Sequence, residues 1–343
     1  MTAAAGLAAL LLAFSGDATP TAPPPAATPA AAGATQAEDI SGWEDVARRM
    51  SVPVRVNGRG PYRFIVDTGA DTSVVSRELA AELGLADGRP QRVHSVFGAE
   101  VTPAAQVASL EVGARRLTGL QLPVLAQANL GAEGILGLDA LADQRVVLDF
   151  AHRSMRVERS RGMGFTDPDA IVVRAKRRFG RLVLVESSLV GKPIYVILDS
   201  GAQNTIANDA LLRLLTRRRT REARGAPAPA PAAGTPAVDE SMVSILSVTG
   251  ATGQGREDVL PEMTLGGVGM RNVPVIYAEL HAFRRFDLAG EPAMLLGVDV
   301  MRAFRQVDVD FGRREVRFGL QRRSAGAPGI TLARGSNSRI TGQ

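Results

Sequence analysis

Two acidic residues stand at the ends of apolar runs, where a carboxylate is costly. The first lies in Phe64-Ile65-Val66-Asp67-Thr68-Gly69-Ala70. The second lies 132 residues later, in Tyr195-Val196-Ile197-Leu198-Asp199-Ser200-Gly201-Ala202. Each run reads as a buried strand, and a strand delivers a carboxylate to its own end only for a purpose. A single Asp-Thr-Gly would read as a turn, with the acid capping a bend and the glycine free to take positive φ. Repetition changes that reading. Two aspartates held close together cannot both ionise cheaply, so they share a proton and titrate as a coupled pair. The ionised member can take a proton from a water between them while the protonated member polarises a carbonyl. These roles belong to the pair and are assigned to neither Asp67 nor Asp199 alone. No nucleophile, metal or cofactor is required.

Other chemistries fail on inventory. The chain of 343 residues has no cysteine, which excludes disulfides, thiolate catalysis and thiolate-bound metals. Its three histidines, His94, His152 and His281, are widely spaced and make no zinc pattern; His94, near a glycine hairpin, reads as a surface residue rather than a substrate contact. Gly266-Gly267-Val268-Gly269 lacks the Lys-Ser/Thr of a phosphate loop and reads as a turn between strands. The isoelectric point near 10.3 suggests nucleic acid. Yet only Lys176 and Lys192 are lysines, and the densest run, Arg217-Arg218-Arg219, has no aromatic neighbours for stacking bases. A solvated charged face and no nucleic-acid partner is the reading.

The elements that must position the two acids follow from pattern. Val52-Pro53-Val54-Arg55-Val56 alternates as a half-buried strand, Asn57-Gly58-Arg59-Gly60 turns, and Tyr62–Val66 returns carrying Asp67. Ser76 caps a helix Arg77–Leu83 closed by Gly84. A hairpin over Val93–Val101, strands at Leu110–Val112 and Leu120–Leu125, the segment Gly134–Asp139, and paired strands Val146–Phe150 and Met155–Glu158 complete a unit. The order then restarts: Leu182–Leu189, a turn at Val190–Pro193, Ile194–Leu198 into Asp199, a helix Ala210–Leu215, and a glycine hairpin over Ser247–Gly253. Met294–Asp299 and the strands Val307–Phe311 and Glu315–Phe318 follow. This is an internal duplication. Asp67 to Gly98 spans 31 residues and Asp199 to Gly250 spans 51, so the second copy carries an insertion. Residues 219–240, rich in Ala and Pro, read as that insertion, a mobile loop.

The acid segments and the two apolar-apolar-Gly segments, Ile135-Leu136-Gly137 and Leu295-Leu296-Gly297, together resemble the retropepsin-type aspartic peptidases. Asp67-Thr68-Gly69-Ala70-Asp71-Thr72 looks very like the active-site segment of retroviral proteases. The resemblance covers about residues 50–320 and is weaker at the hairpins. It implies an all-β, two-lobed acid-protease fold, each lobe a small retropepsin-like barrel, with the cleft between them. Retroviral enzymes make the site from two identical chains, whereas here one chain carries both halves. The expected organisation is a signal-like segment and Ala/Pro-rich tether (1–37), an N-terminal lobe (38–160), a C-terminal lobe (161–323) and a flexible tail (324–343).

The resemblance also implies roles. Asp67 and Asp199 are the catalytic dyad, as in aspartic proteases generally. Gly69 and Gly201 let backbone approach the carboxylates and donate N–H groups to them. Thr68 and Ser200 form a hydrogen-bond network across the lobes. Ala70, Asp71, Ala202 and Gln203 line the substrate. Asp71 has Gln203 as its counterpart, a departure that predicts unequal binding on the two sides. The hairpins around Phe97-Gly98 and Thr249-Gly250 are flaps over an extended peptide, with an ordinary surface hairpin as the alternative.

The expected activity is aspartic endopeptidase, acting on about four to eight residues of extended peptide. No cofactor, metal or integral membrane span is expected, and the molecule is a monomer with pseudo-twofold lobes. One competing reading is a non-catalytic peptide-binding protein that retains the fold. Another is a scaffold that recruits partners through its Arg-rich loop. The apolar run Leu7–Phe14 is too short for a bilayer and matches a signal-peptide core without its basic start. Export to the periplasm or outside the cell is the expectation, with the cytoplasm the alternative.

Overall fold

The computed structural model describes residues 6–8, 12–14, 39–40, 43–44, 49–113, 115–141, 143–160, 170–178, 181–184, 187–225, 242–321 and 330–334. Met50–Val56 buries Val52, Val54 and Val56 and exposes Arg55, the alternation its sequence carries. Asn57 and Gly58 both take positive φ, the backbone that a tight hairpin turn requires, and return the chain into Arg59–Val66. Met50–Val56 pairs on its other edge with Ala104–Val112. From there the ladder runs through Arg115–Leu125, Val74–Ser76 and Gly134–Leu136 and back to Arg59–Val66, closing a six-stranded barrel. The helix Arg77–Leu83 is capped as its residues signal. Ser76 Oγ accepts from Leu79 N, and Gly84 closes the last turn in the left-handed region.

The second lobe repeats the circuit. Arg181–Leu184 pairs with Tyr195–Leu198, which pairs in parallel with Ala293–Leu296. Ile206–Ala207, Val268–Tyr277, Thr252–Leu265 and Ser187–Leu189 continue it in the same order. The fold is mostly β, with two barrel-like lobes, as the resemblance implied.

Each lobe contributes its closing strand pair to one shared sheet. Gln144–Asp149 pairs with Ser154–Arg159 in the first lobe, and Gln306–Asp310 with Glu315–Gly319 in the second. The two inner strands then pair with each other antiparallel, Val147 opposite Asp308. Ile171–Arg178 and Asp39–Ile40 extend the sheet at its two outer edges. Val146, Leu148, Val307 and Val309 are buried in the core. Arg145 crosses the junction to pair with Asp308 in a buried contact, and reaches Glu158 at 3.3 Å.

Two expectations need correction. The second-lobe helix runs over Asp209–Gly225, not Ala210–Leu215, so residues 219–225 of the expected loop are helical. The reason is local: Arg, Leu, Thr, Glu and Ala follow one another with no Gly or Pro before Gly225. Residues 226–241 lie outside the described residues. In the expected tail, Thr331–Arg334 forms a strand on the edge of Val268–Arg271. At the other end, Gly6–Ala8 and Leu12–Phe14 are short strands, one on Ile245–Ser247 and one on Arg92–His94.

Candidate active site

Asp67 and Asp199 leave their strands at equivalent points. Asp67 N donates to Leu136 O at 3.0 Å, and Asp199 N to Leu296 O at 3.1 Å. Each acid therefore sits directly beyond a parallel pairing with its Leu-Gly strand. Both are fully buried. Asp67 Oδ1 accepts from Gly69 N at 2.7 Å; Asp199 Oδ1 accepts from Gly201 N and Ala202 N, both at 3.0 Å. Backbone N–H groups aimed at a carboxylate hold it in place and favour its charged form. The Asp67 carboxyl lies against the Cα of Gly201, where any Cβ would collide with it. Glycine at 201 is thus what lets the two acid loops meet.

The hydroxyls beside the acids lock the loops reciprocally. Thr68 Oγ1 donates to Leu198 O and accepts from Ser200 N, each at 3.0 Å. Ser200 Oγ donates to Val66 O at 2.8 Å and accepts from Thr68 N at 3.0 Å. Four buried bonds cross between lobes through two side chains.

Beneath each loop lies a support that sequence reasoning missed. Six residues past each aspartate stands a hydroxyl, Ser73 or Thr205. Two residues past each supporting glycine stands an acid, Asp139 or Asp299. Ser73 Oγ donates to Asp139 Oδ1 at 2.7 Å and accepts from Gly137 N at 3.1 Å. Thr205 Oγ1 donates to Asp299 Oδ1 at 2.7 Å and accepts from Gly297 N at 3.0 Å. The backbone N–H of Ser73 and of Thr205 also bonds the same carboxylates. A Cβ at Gly137 would press on the Thr72 backbone, and one at Gly297 on Asn204, so both glycines are required by close approach. The signal was present in the sequence: hydroxyl and acid recur at the same offsets in both copies.

Burial pushes the Asp299 carboxyl up to about 6, against the bonds from Thr205 that favour its charged form. Burial raises Asp139 in the same direction, opposed by Ser73. A carboxyl raised on folding stabilises the fold fully below its unfolded pKa, near 3.8, and that contribution is lost as pH rises through about 6. Asp299→Asn does not titrate. The stability of wild type relative to Asp299→Asn should therefore fall by on the order of 2 kcal/mol between about pH 4 and pH 7. Urea denaturation of both proteins across that range measures the difference.

Ala70, Asp71, Ala202 and Gln203 hold matched backbone positions in the two acid loops. Ala70 O accepts from Leu138 N at 2.8 Å and Ala202 O from Val298 N at 2.9 Å; Asp71 O and Gln203 O accept from Asp139 N and Asp299 N. Phe97 and Gly98 lie in the tip of the hairpin between Gln91–His94 and Ala99–Thr102. Thr249 and Gly250 lie in the tip between Met242–Ser247 and Thr252–Leu265. The tips cross. Val96 is buried among second-lobe side chains and Phe97 packs over Gly253, while Val248 is buried in a first-lobe cluster and Gly250 lies against Asn129. Thr249 Oγ1 reaches Ser95 Oγ at 3.4 Å, joining the two hairpins.

His94 is not the surface residue expected; it is half-buried and bonded to His281. His152 is exposed and bonds Asp149 at 2.9 Å. Among the described residues, no three His, Cys, Asp or Glu side chains gather as a metal site. No described helix is long and apolar enough to cross a membrane.

Residues 52–140 match the model of a family described as aspartyl protease, of the retropepsin-like type. The match spans the first barrel with Asp67, Thr68, Gly69 and the Leu136-Gly137 support. It bears out the resemblance there and supports a peptidase hydrolase at the level of the family. No curated protein matches the chain.

Proposed function

We propose that this chain, whose first barrel has the sequence of an aspartyl protease family, is an endopeptidase that cuts extended peptides with water activated by Asp67 and Asp199. The observation that carries this reading is the meeting of two buried aspartates from different lobes, each held by its own glycine N–H and tied together by Thr68 and Ser200. The pair carries one proton. Its ionised member takes a proton from the water as the water oxygen bonds to the scissile carbonyl carbon, and its protonated member gives its proton to the carbonyl oxygen. Collapse of the tetrahedral intermediate returns a proton from that oxygen and delivers another to the leaving nitrogen. The pair ends with the single proton it began with.

The hairpins supply the strand edges an extended peptide needs. Leu12–Phe14 runs antiparallel to Arg92–His94, and Gly6–Ala8 runs parallel to Ile245–Ser247. A single strand crossing a pseudo-twofold axis must meet equivalent edges in opposite senses, so these pairings support a cleft shaped for one continuous strand. In the proposed export route, removal of residues 1–37 frees those edges for substrate.

Incubation of the protein with a mixed peptide library from pH 3 to pH 8, read by mass spectrometry, tests the reading. Internal cuts flanked by a shared pattern of side chains are expected. Peptide retention without cutting at any pH would replace it with the non-catalytic binding protein.

A further inference from the structure

His94 ends the outgoing strand of the first-lobe hairpin, and His281 begins the second-lobe helix His281–Arg285. His94 Nδ1 and His281 Nε2 are 3.0 Å apart. The ring planes lie within 8° of each other with centroids 5.3 Å apart, the separation expected for rings joined nitrogen to nitrogen in one plane. They share a hydrogen bond and do not stack face to face. Beside it, the backbone N–H of His281 donates to Val96 O at 2.7 Å. Two bonds from one second-lobe residue therefore hold the tip of the first-lobe hairpin. The opposite tip rests on the first lobe through Val248 and Asn129, which do not titrate.

We propose that the His94–His281 contact is a proton-sensitive latch that holds the first-lobe hairpin shut across the cleft, and that acid releases it. The latch rests on the reading of the hairpins as covers of a peptide-binding cleft, and it adds which cover moves and what moves it. A neutral pair shares one proton between the facing nitrogens. One added proton still leaves a donor and an acceptor, but a second sets N–H against N–H. The latched pair takes up one proton; the released pair takes up two.

The surroundings act in the same direction. Burial holds both rings below the ordinary histidine range, aided by Arg285 and Arg92 at His94 and by Arg284 and Arg285 at His281. The acids on adjoining segments are Glu100 on the return strand and Glu279 and Asp287 flanking the helix. Glu279 accepts from Asp209 N at 2.8 Å. A histidine depressed in the latched state stabilises that state above its ordinary pKa, and the contribution is lost as pH falls. One extra proton bound on release shifts the balance by up to about tenfold per pH unit.

The chain has no cysteine, so two can be placed at will. Val101, on the hairpin, and Val259, on a second-lobe strand, are 62% and 48% exposed. The full chain carrying V101C and V259C, spin-labelled at both, reports the hairpin-to-lobe distance by pulsed electron resonance at pH 7.5 and 5.0 without peptide. A longer distance component should grow on the order of tenfold at pH 5.0. His281→Gln offers an amide that can donate or accept, so it fits His94 in either protonation state and should stay closed at both pH values. His281→Ala should show the long component at both. An unchanged wild-type distribution, or acid opening in His281→Gln equal to wild type, overturns the latch. The distances need no cleavage, so a protein that cuts no peptide still decides the latch, and a failed latch leaves the dyad reading standing.

Discussion

Asp67→Asn and Asp199→Asn should each reduce peptide cleavage by at least about 10³-fold while leaving the protein folded. Either change removes one carboxyl from a pair that works by sharing a proton, so neither variant can both accept from water and donate to the carbonyl oxygen. Asparagine keeps the side-chain shape, and its Oδ1 can still accept from Gly69 N or from Gly201 N and Ala202 N. Loss of rate should therefore appear without loss of structure. The measurement is kcat/KM on the best library peptide, with circular dichroism and a urea midpoint for each variant. Equal losses in the two variants mark a shared site, because residues that act as a unit fail together. A variant that retains a tenth of wild-type activity would refute the dyad.

Thr68→Val should destabilise the molecule by about 2–4 kcal/mol, whereas Thr68→Ser should cost far less. The methyl that replaces the hydroxyl deprives Leu198 O of a donor and Ser200 N of an acceptor, and both groups are buried. An unmade bond at a buried backbone group costs more than the bond contributes when made. Serine keeps Oγ and loses only a methyl. Because the lost bonds run from one lobe to the other, activity should fall further than stability alone predicts, through misplacement of the two acids. Urea denaturation and cleavage assays on the same three proteins separate the two effects. A Thr68→Val variant as stable as wild type would show that the lobes do not depend on this contact.

The barrels and the two equivalent acid loops were legible in the sequence because their signals are local and repeat. Val52, Val54 and Val56 alternate, Asn57-Gly58 is turn chemistry, and Ser76 and Gly84 bracket a helix. Each of these rules acts within a few residues. Duplication doubled every signal and tied Asp67 to Asp199. What was not legible depends on contacts between distant segments. His94 offers no sign in its own neighbourhood that His281, 187 residues away, will meet it. Asp139 and Asp299 merely close the repeated segments Gly134–Asp139 and Met294–Asp299; only the fold turns them toward Ser73 and Thr205. The helix beyond Leu215 was obscured for another reason: composition suited to a linker begins only after Arg224, and arginine-rich sequence before it is a good helix former.

The central sheet has a consequence for how the halves became unlike. Gln144–Asp149 meets Gln306–Asp310 about a local twofold axis, so two copies of the first half alone would meet edge to edge in the same manner. The duplication puts Val147 where the second half has Asp308, since Leu148-Asp149-Phe150 aligns with Val309-Asp310-Phe311. Two first halves would then face Val147 with Val147 and leave the Arg145 guanidinium with Glu158 of its own half but without Asp308, which weakens that pairing. The ion pair thus discriminates between partners: it favours the joining of unlike halves and penalises the pairing of like ones. That asymmetry disfavours association of two molecules through their first halves.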